Sequence, residues 1–199
     1  GAGRRRDFIT SPEVGPLFGA VLARAIDTWW DELGRPDRFT FVEAGAGPGP
    51  LARSILRCEL GCRDALEYIA VETSEAQRAR HPEGVKSTAT MPTAVEAGVV
   101  FANELLDNLP FDVLSYVEGR GWREVRVARG PAGSLVEELV AADGPALAGG
   151  ADGEIRIPVQ RAAQTWLRQA LDALGRGRVV VVDYAVPSYT GLTYPTRKY

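Results

Sequence analysis

Apolar positions recur along this chain at two spacings, one helical and one strand-like. Leu17, Val21, Leu22, Ala25, Ile26 and Trp29 fall on one face of a helical pattern running from Pro12 to Trp30, and Gly34-Arg35-Pro36-Asp37 breaks it. Phe39 to Glu43 is a continuous apolar run that suits a buried strand, and Leu51 to Arg57 returns to helical spacing. Leu66 to Glu72 reads as a second strand ending in an acid, and Ser74 to Arg80 as a short helix, which completes a βαβ unit. Gly98 to Ala102 suits a buried parallel strand. Asp112 to Val127 alternates around Glu118-Gly119-Arg120-Gly121 in the manner of a hairpin, and Leu135 to Val140 adds a further strand. The Gly/Ala/Pro-rich stretch from Ala141 to Gly153 predicts a loop, Val159 to Leu174 a helix, and Val179 to Tyr184 a fully buried strand. Strands alternating with helices predict an α/β fold with an inserted β-hairpin.

Composition narrows the class. The chain has 199 residues, 45% of them hydrophobic, which suits one domain with a substantial core. Lys plus Arg number 23 against 26 for Asp plus Glu, a net charge of −3 that gives no general attraction to nucleic acid. Arg4-Arg5-Arg6 reads as a solvated terminal cluster. Cys58 and Cys62 are the only cysteines and lack a second pair to complete a zinc site, so reduced thiols and no metal are expected. The single histidine, His81, precedes Pro82 in a loop and supports no catalytic triad; it is assigned no role. No apolar run reaches membrane-spanning length and no signal peptide opens the chain, which leads to the expectation of a cytoplasmic protein.

The chemistry concentrates where the first strand meets its helix. Glu43-Ala44-Gly45-Ala46-Gly47-Pro48-Gly49 places a carboxylate and three glycines at that junction. Glycine there permits positive φ and lets backbone approach a ligand closely. The dinucleotide fingerprint G-x-G-x-x-G would require glycine at position 50, which is Pro50, so that register fails. An acid two residues before the first glycine suits a cationic cofactor better than a pyrophosphate. Glu72, a little over 20 residues past the turn, stands where nucleotide folds place the acid that accepts ribose hydroxyls. The strand from Gly98 delivers Asn103 to Phe111 at its C-terminal end, the edge at which open α/β sheets bind ligands.

The E-x-G-x-G-x-G turn resembles motif I of class I S-adenosylmethionine (SAM) methyltransferases. A series of ordered segments narrows the resemblance to the MidA-like SAM-dependent methyltransferases: Asp7 to Val14 followed by Leu17-Phe18-Gly19; the Glu43 to Gly49 turn; Val71-Glu72-Thr73-Ser74; Ala102 to Pro110; and Val182-Asp183-Tyr184. They span residues 7 to 184, with only an outline match between 112 and 178.

The resemblance implies a Rossmann-like class I methyltransferase fold in a single domain over residues 1–199, with a core of about 7–186, SAM as cofactor, and protein arginine as acceptor. Family members carry further N- and C-terminal regions that this chain does not show. The same resemblance puts Glu43 near the cationic methionyl end, Gly45, Gly47 and Gly49 against the cofactor, Glu72 on the ribose, and Thr10, Ser11 and Pro12 closing over it. Asn103 stands where several methyltransferases use an asparagine.

An arginine acceptor, with a pKa above about 12, needs carboxylates that orient it, and Glu104 and Asp107 are the catalytic candidates. The opposing reading has Asp107 and Asn108 merely capping a turn before Pro110. Glu13 is a further candidate acid, or a carboxylate in a helix's first turn. Three functions stay open: a protein methyltransferase, a small-molecule methyltransferase on the same fold, or a SAM-binding scaffold that acts through the hairpin and an exposed Trp122. A mitochondrial matrix location would apply to an organelle homologue. The number of subunits is not encoded in any of these motifs.

Overall fold

The structure, a computed structural model, describes residues 16–144 and 155–184. Thr10, Ser11, Pro12 and Glu13 lie outside the described residues. The described residues fall into two compact units, one built from residues up to Asn108 together with Trp166–Tyr184, the other from Leu109–Thr165.

The first unit holds a five-stranded sheet in the order β3-β2-β1-β4-β9, with every pairing parallel. Its strands are β1 (Phe39–Ala44), β2 (Leu66–Val71), β3 (Lys86–Thr88), β4 (Val95–Asn103) and β9 (Leu174–Val182). The helices are α1 (Pro16–Glu32), α2 (Pro50–Leu56), α3 (Glu75–Arg78) and α4 (Arg161–Ala173), the last beginning in the second unit. β1 is central and buried at all six positions, which is why its sequence runs apolar without alternation. The strand order reverses beside β1: β2 lies on one flank and β4 on the other. The crevice at their C-terminal ends is therefore the sheet's topological switch point, where such folds bind ligands.

The core packs Phe41 between Tyr68 and Phe101, with ring centroids 5.2 and 5.7 Å away. Leu22, Ala23 and Ile26 of α1 and Leu51, Ala52 and Ile55 of α2 join the same core. Asp27 fastens α1 to the turn after α2, accepting the Gly61 and Cys62 amides at 3.0 Å each. Those charge-assisted bonds hold its carboxyl below the usual range although burial acts in the opposite sense.

Two parts of the hydrophobic pattern are placed differently from expectation. The buried stripe of α1 is Gly19, Leu22, Ala23 and Ile26, while Leu17 (76% exposed) and Val21 lie on the opposite side of the helix. The strand ending at Val182 is not fully buried: Val181 and Val182 are exposed, because among the described residues β9 has one strand neighbour, β4.

The second unit is an antiparallel sheet in the order β7-β6-β5-β8. The expected hairpin is β5 (Asp112–Val117) and β6 (Gly121–Arg129), and β7 (Leu135–Ala141) extends it. β8 (Ile155–Val159) was concealed by Pro158 and occupies the sheet's edge, where a missing N–H is tolerated. Trp122 is not exposed but 9% accessible, edge-on to Tyr116 and packed with Leu114 and Ile157. It anchors this small core and is no contact surface.

Candidate cofactor and acceptor site

The glycine turn leaves β1 with left-handed backbone at Gly45, Gly47 and Gly49 (φ 73°, 54° and 77°). Gly49 is the residue preceding α2, and a Cβ there would lie 3.1 Å from Pro82 Cδ and 3.2 Å from His81 Cδ2. Both conformation and space therefore demand glycine. At Gly45 a Cβ would meet Leu105 Cδ1 at 3.0 Å, so the loop after β4 rests directly on the turn.

Hydrogen bonds bring the sequence-selected residues together. The Gly45 and Ala46 amides donate to the Val71 carbonyl at 2.9 and 3.0 Å, tying the turn to the end of β2. Glu72 follows at once, and its carboxylate accepts the Gly47 amide at 3.0 Å and the Ser74 amide at 2.8 Å. A carboxylate has about four acceptor positions, so capacity remains for further donors. Arg78 Nη1 fixes the backbone there by donating to the Glu72 and Thr73 carbonyls at 2.7 Å each.

Glu43 points inward. It is 5% exposed and accepts the Tyr68 hydroxyl at 2.6 Å. Burial lifts its carboxyl to about 7, against the opposing pull of the Tyr68 bond and the Arg53 charge. The same buried pair raises the Tyr68 phenol, chiefly by desolvation and then by the adjacent carboxylate.

At the end of β4, the buried Asn103 Oδ1 accepts no hydrogen bond, a costly arrangement that a ligand donor would relieve. Glu104 has φ 49°, uncommon for a non-glycine residue, and its amide donates to the Val182 carbonyl at 2.8 Å. Leu106 to Asn108 form a single 3₁₀ turn. Asn108 Nδ2 donates to the Glu104 carbonyl and to Asp107 Oδ1, 2.9 Å each, so Asn108 does close a turn; the Asp107 side chain stays at the surface.

Four further residues hold the site. Asp183 accepts the Leu106 amide at 2.8 Å and so holds the β4 loop from 77 residues away. Tyr68 partners Glu43, and His81 and Arg53 contact the turn; each pairing depends on strand order or chain return, which spacing alone does not report.

The residues present fit SAM: glycines that leave room for a ligand against the backbone, a carboxylate suited to ribose hydroxyls, and an unsatisfied buried acceptor across the crevice. Sheet order and the glycine turn together give the Rossmann-like fold of the SAM-dependent methyltransferase class. The family described as "Putative S-adenosyl-L-methionine-dependent methyltransferase" matches residues 21–198. The chain belongs to this MidA-like family of SAM-dependent methyltransferases.

A crystal structure from Burkholderia thailandensis, bound to S-adenosyl-homocysteine, superposes with a TM-score of 0.76 at 31% identity, covering 94% of this chain and 51% of that one. The mitochondrial protein arginine methyltransferase NDUFAF7 homolog of Drosophila melanogaster is 30% identical over 155 residues, covering 63% of this chain and 35% of its own length. Mouse NDUFAF7, also named a mitochondrial protein arginine methyltransferase, is 29% identical over 165 residues, 66% of this chain and 38% of its own. The chain thus spans little more than a third of these curated relatives.

Proposed function

We propose that this chain forms the cofactor-binding and acceptor-facing core of a protein-arginine N-methyltransferase. The observation that carries the reading is the bond between the Gly47 amide and the Glu72 carboxylate. It joins two independently recognised cofactor elements into one site beside the unsatisfied Asn103. Gly45, Gly47 and Gly49 offer backbone to the cofactor and Glu72 takes the ribose hydroxyls. Glu43 supplies a buried negative charge near the cationic methionyl end, and a neighbouring cation favours its ionised form. SAM, when bound, supplies a methyl group already activated by its sulfonium, so the protein mainly contributes positioning and field.

Arginine as acceptor is supported by the names of the relatives and by the carboxylates at the end of β4. A guanidinium is a weak nucleophile while its charge is delocalised. Glu104 and Asp107 orient it through charge-assisted hydrogen bonds, localise its charge and take the proton that the new N–C bond displaces. The left-handed backbone at Glu104 is the kind of local strain that functional sites retain.

The deciding experiment is transfer of a labelled methyl from SAM by the full-length protein to proteins of its own cell lysate, read by residue-level mass spectrometry. Label on arginine is expected. Label confined to small molecules would overturn the protein-arginine reading, and a folded protein that binds no SAM would overturn the methyltransferase reading altogether.

A further inference from the structure

His81 sits 34 residues from Gly47 in sequence, yet its Nε2 lies 2.8 Å from the Gly47 carbonyl oxygen. A carbonyl only accepts, so Nε2 carries the proton and donates; in the neutral ring Nδ1 is then an acceptor, and it is buried without a partner. Gly47 is thereby held on both sides, its amide by Glu72 and its carbonyl by His81.

Arg53 of α2 reinforces the same contact. Its Nη1 donates to the Pro48 carbonyl at 2.8 Å and to the Arg80 carbonyl at 3.0 Å, drawing the His81 segment against the turn. Gly49 lets that segment approach, since a Cβ would press on both His81 and Pro82. Residues 72–82 leave the turn at Glu72 and return to it at His81, with Arg78 fixing the backbone between them.

Three left-handed glycines in five residues are intrinsically floppy, and a ligand that must order them loses affinity to conformational entropy. We propose that His81, with Arg53, is a positioning residue of the cofactor site. It clamps the Gly47 carbonyl so that the turn is ordered before SAM arrives, and it touches neither the cofactor nor the acceptor. The proposal rests on the reading that SAM occupies this turn.

The test compares S-adenosylhomocysteine affinity by calorimetry with hydrogen exchange of the peptide spanning residues 44–50 in ligand-free protein. His81→Leu keeps bulk and removes the donor; about a tenfold rise in Kd and faster exchange of the turn are expected. His81→Gln, whose longer amide reaches the Nε2 position, is expected to stay within about twofold of wild type on both readouts. Exchange of the β4 peptide, Val95–Asn103, should stay at the wild-type rate in both variants, a confinement to the turn that general loosening of the fold would not give.

If the leucine variant does not fold, His81→Asn, too short to reach the carbonyl, replaces it. Arg53→Met tests the clamp from the other side, with about a threefold loss expected. Equal affinity and equal exchange in wild type and the donor-less variants would overturn the proposal. Weak binding by the glutamine variant to the same degree would do so as well, because packing and not the hydrogen bond would then be responsible. Wild-type protein that binds no S-adenosylhomocysteine would instead reject the cofactor reading.

Discussion

At the end of β1 the glycine turn is tied through Val71, Glu72, His81 and Arg53, whereas the loop at the end of β4 carries a left-handed glutamate, a buried acceptor with no donor and a surface aspartate. The first arrangement suits a site ordered in advance for one ligand, as proposed above. The second is hydrogen-bonded to β9 and the segment after it at two points, Val182 and Asp183, and closes otherwise on itself through Asn108. Cofactor and acceptor demand different things of a transferase: the cofactor is the same in every turnover, while the acceptor has to enter and leave.

The sharpest way to break this comparison is to remove Glu72. Two ribose hydroxyls donating to a carboxylate, at about 2 kcal/mol each, set an expected loss of roughly a thousandfold in SAM affinity for Glu72→Ala, read by calorimetry. Affinity within tenfold of wild type would place the ribose elsewhere.

Glu43 comes next. Burial raises its folded-state value from 4.5 to about 7, so the folded protein holds that proton more tightly than the unfolded chain. Its contribution to stability is full below pH 4.5 and is lost as pH rises through 7, an effect on the order of 3 kcal/mol. Glu43→Gln is expected to flatten that part of the profile in denaturant titrations between pH 5 and 8; parallel curves would show that the carboxyl is not shifted.

At the end of β4, the proposed acceptor side, the expected effects are smaller and fall on turnover. Asp183→Ala removes the acceptor for the Leu106 amide and is expected to lower kcat about tenfold while SAM affinity holds, consistent with losing about 1.5 kcal/mol from a charge-assisted bond. A matching loss of SAM affinity would show that the two sides are not separable. Glu104→Gly relieves the left-handed backbone and should raise stability by less than about 1 kcal/mol, the gain being partly offset by unfolded-state entropy. Retained methyl transfer in that variant would remove Glu104 from the catalytic candidates.

The difference between the two sides also decided what could be read from sequence. The glycine turn and Glu72 were legible because strand-end chemistry at fixed spacing is a local signal. Their mutual bond spans 25 residues and follows once β1 and β2 are paired in parallel. His81 carried no such signal: a histidine before a proline looks like any loop residue until the chain after α3 is seen to fold back over Gly47. Asp183 was part of a recognisable strand-end segment, but its partner at Leu106 appears only when β9 is set beside β4. Burial was the least legible quantity. Val181 and Val182 belong to a run that reads as interior yet lies on the outer strand, and Trp122 sits at a hairpin position that reads as exposed yet forms a core.

The reach of the Asp183 contact has a consequence for how the site assembles during synthesis or refolding. Among the described residues the hydrogen bonds that order the glycine turn lie between Gly45 and His81, so they can form as soon as that stretch has paired β1 with β2. The β4 loop waits for a carboxylate 77 residues further on, and closing contacts at such separation is the slower event. Pulse-labelled hydrogen exchange during refolding is accordingly expected to protect the Gly47 amide before the Leu106 amide; simultaneous protection would mean that both sides form in one cooperative step. In this order the end of β1, proposed to hold the constant ligand, is finished first, and the end of β4, proposed to meet the variable one, is completed last.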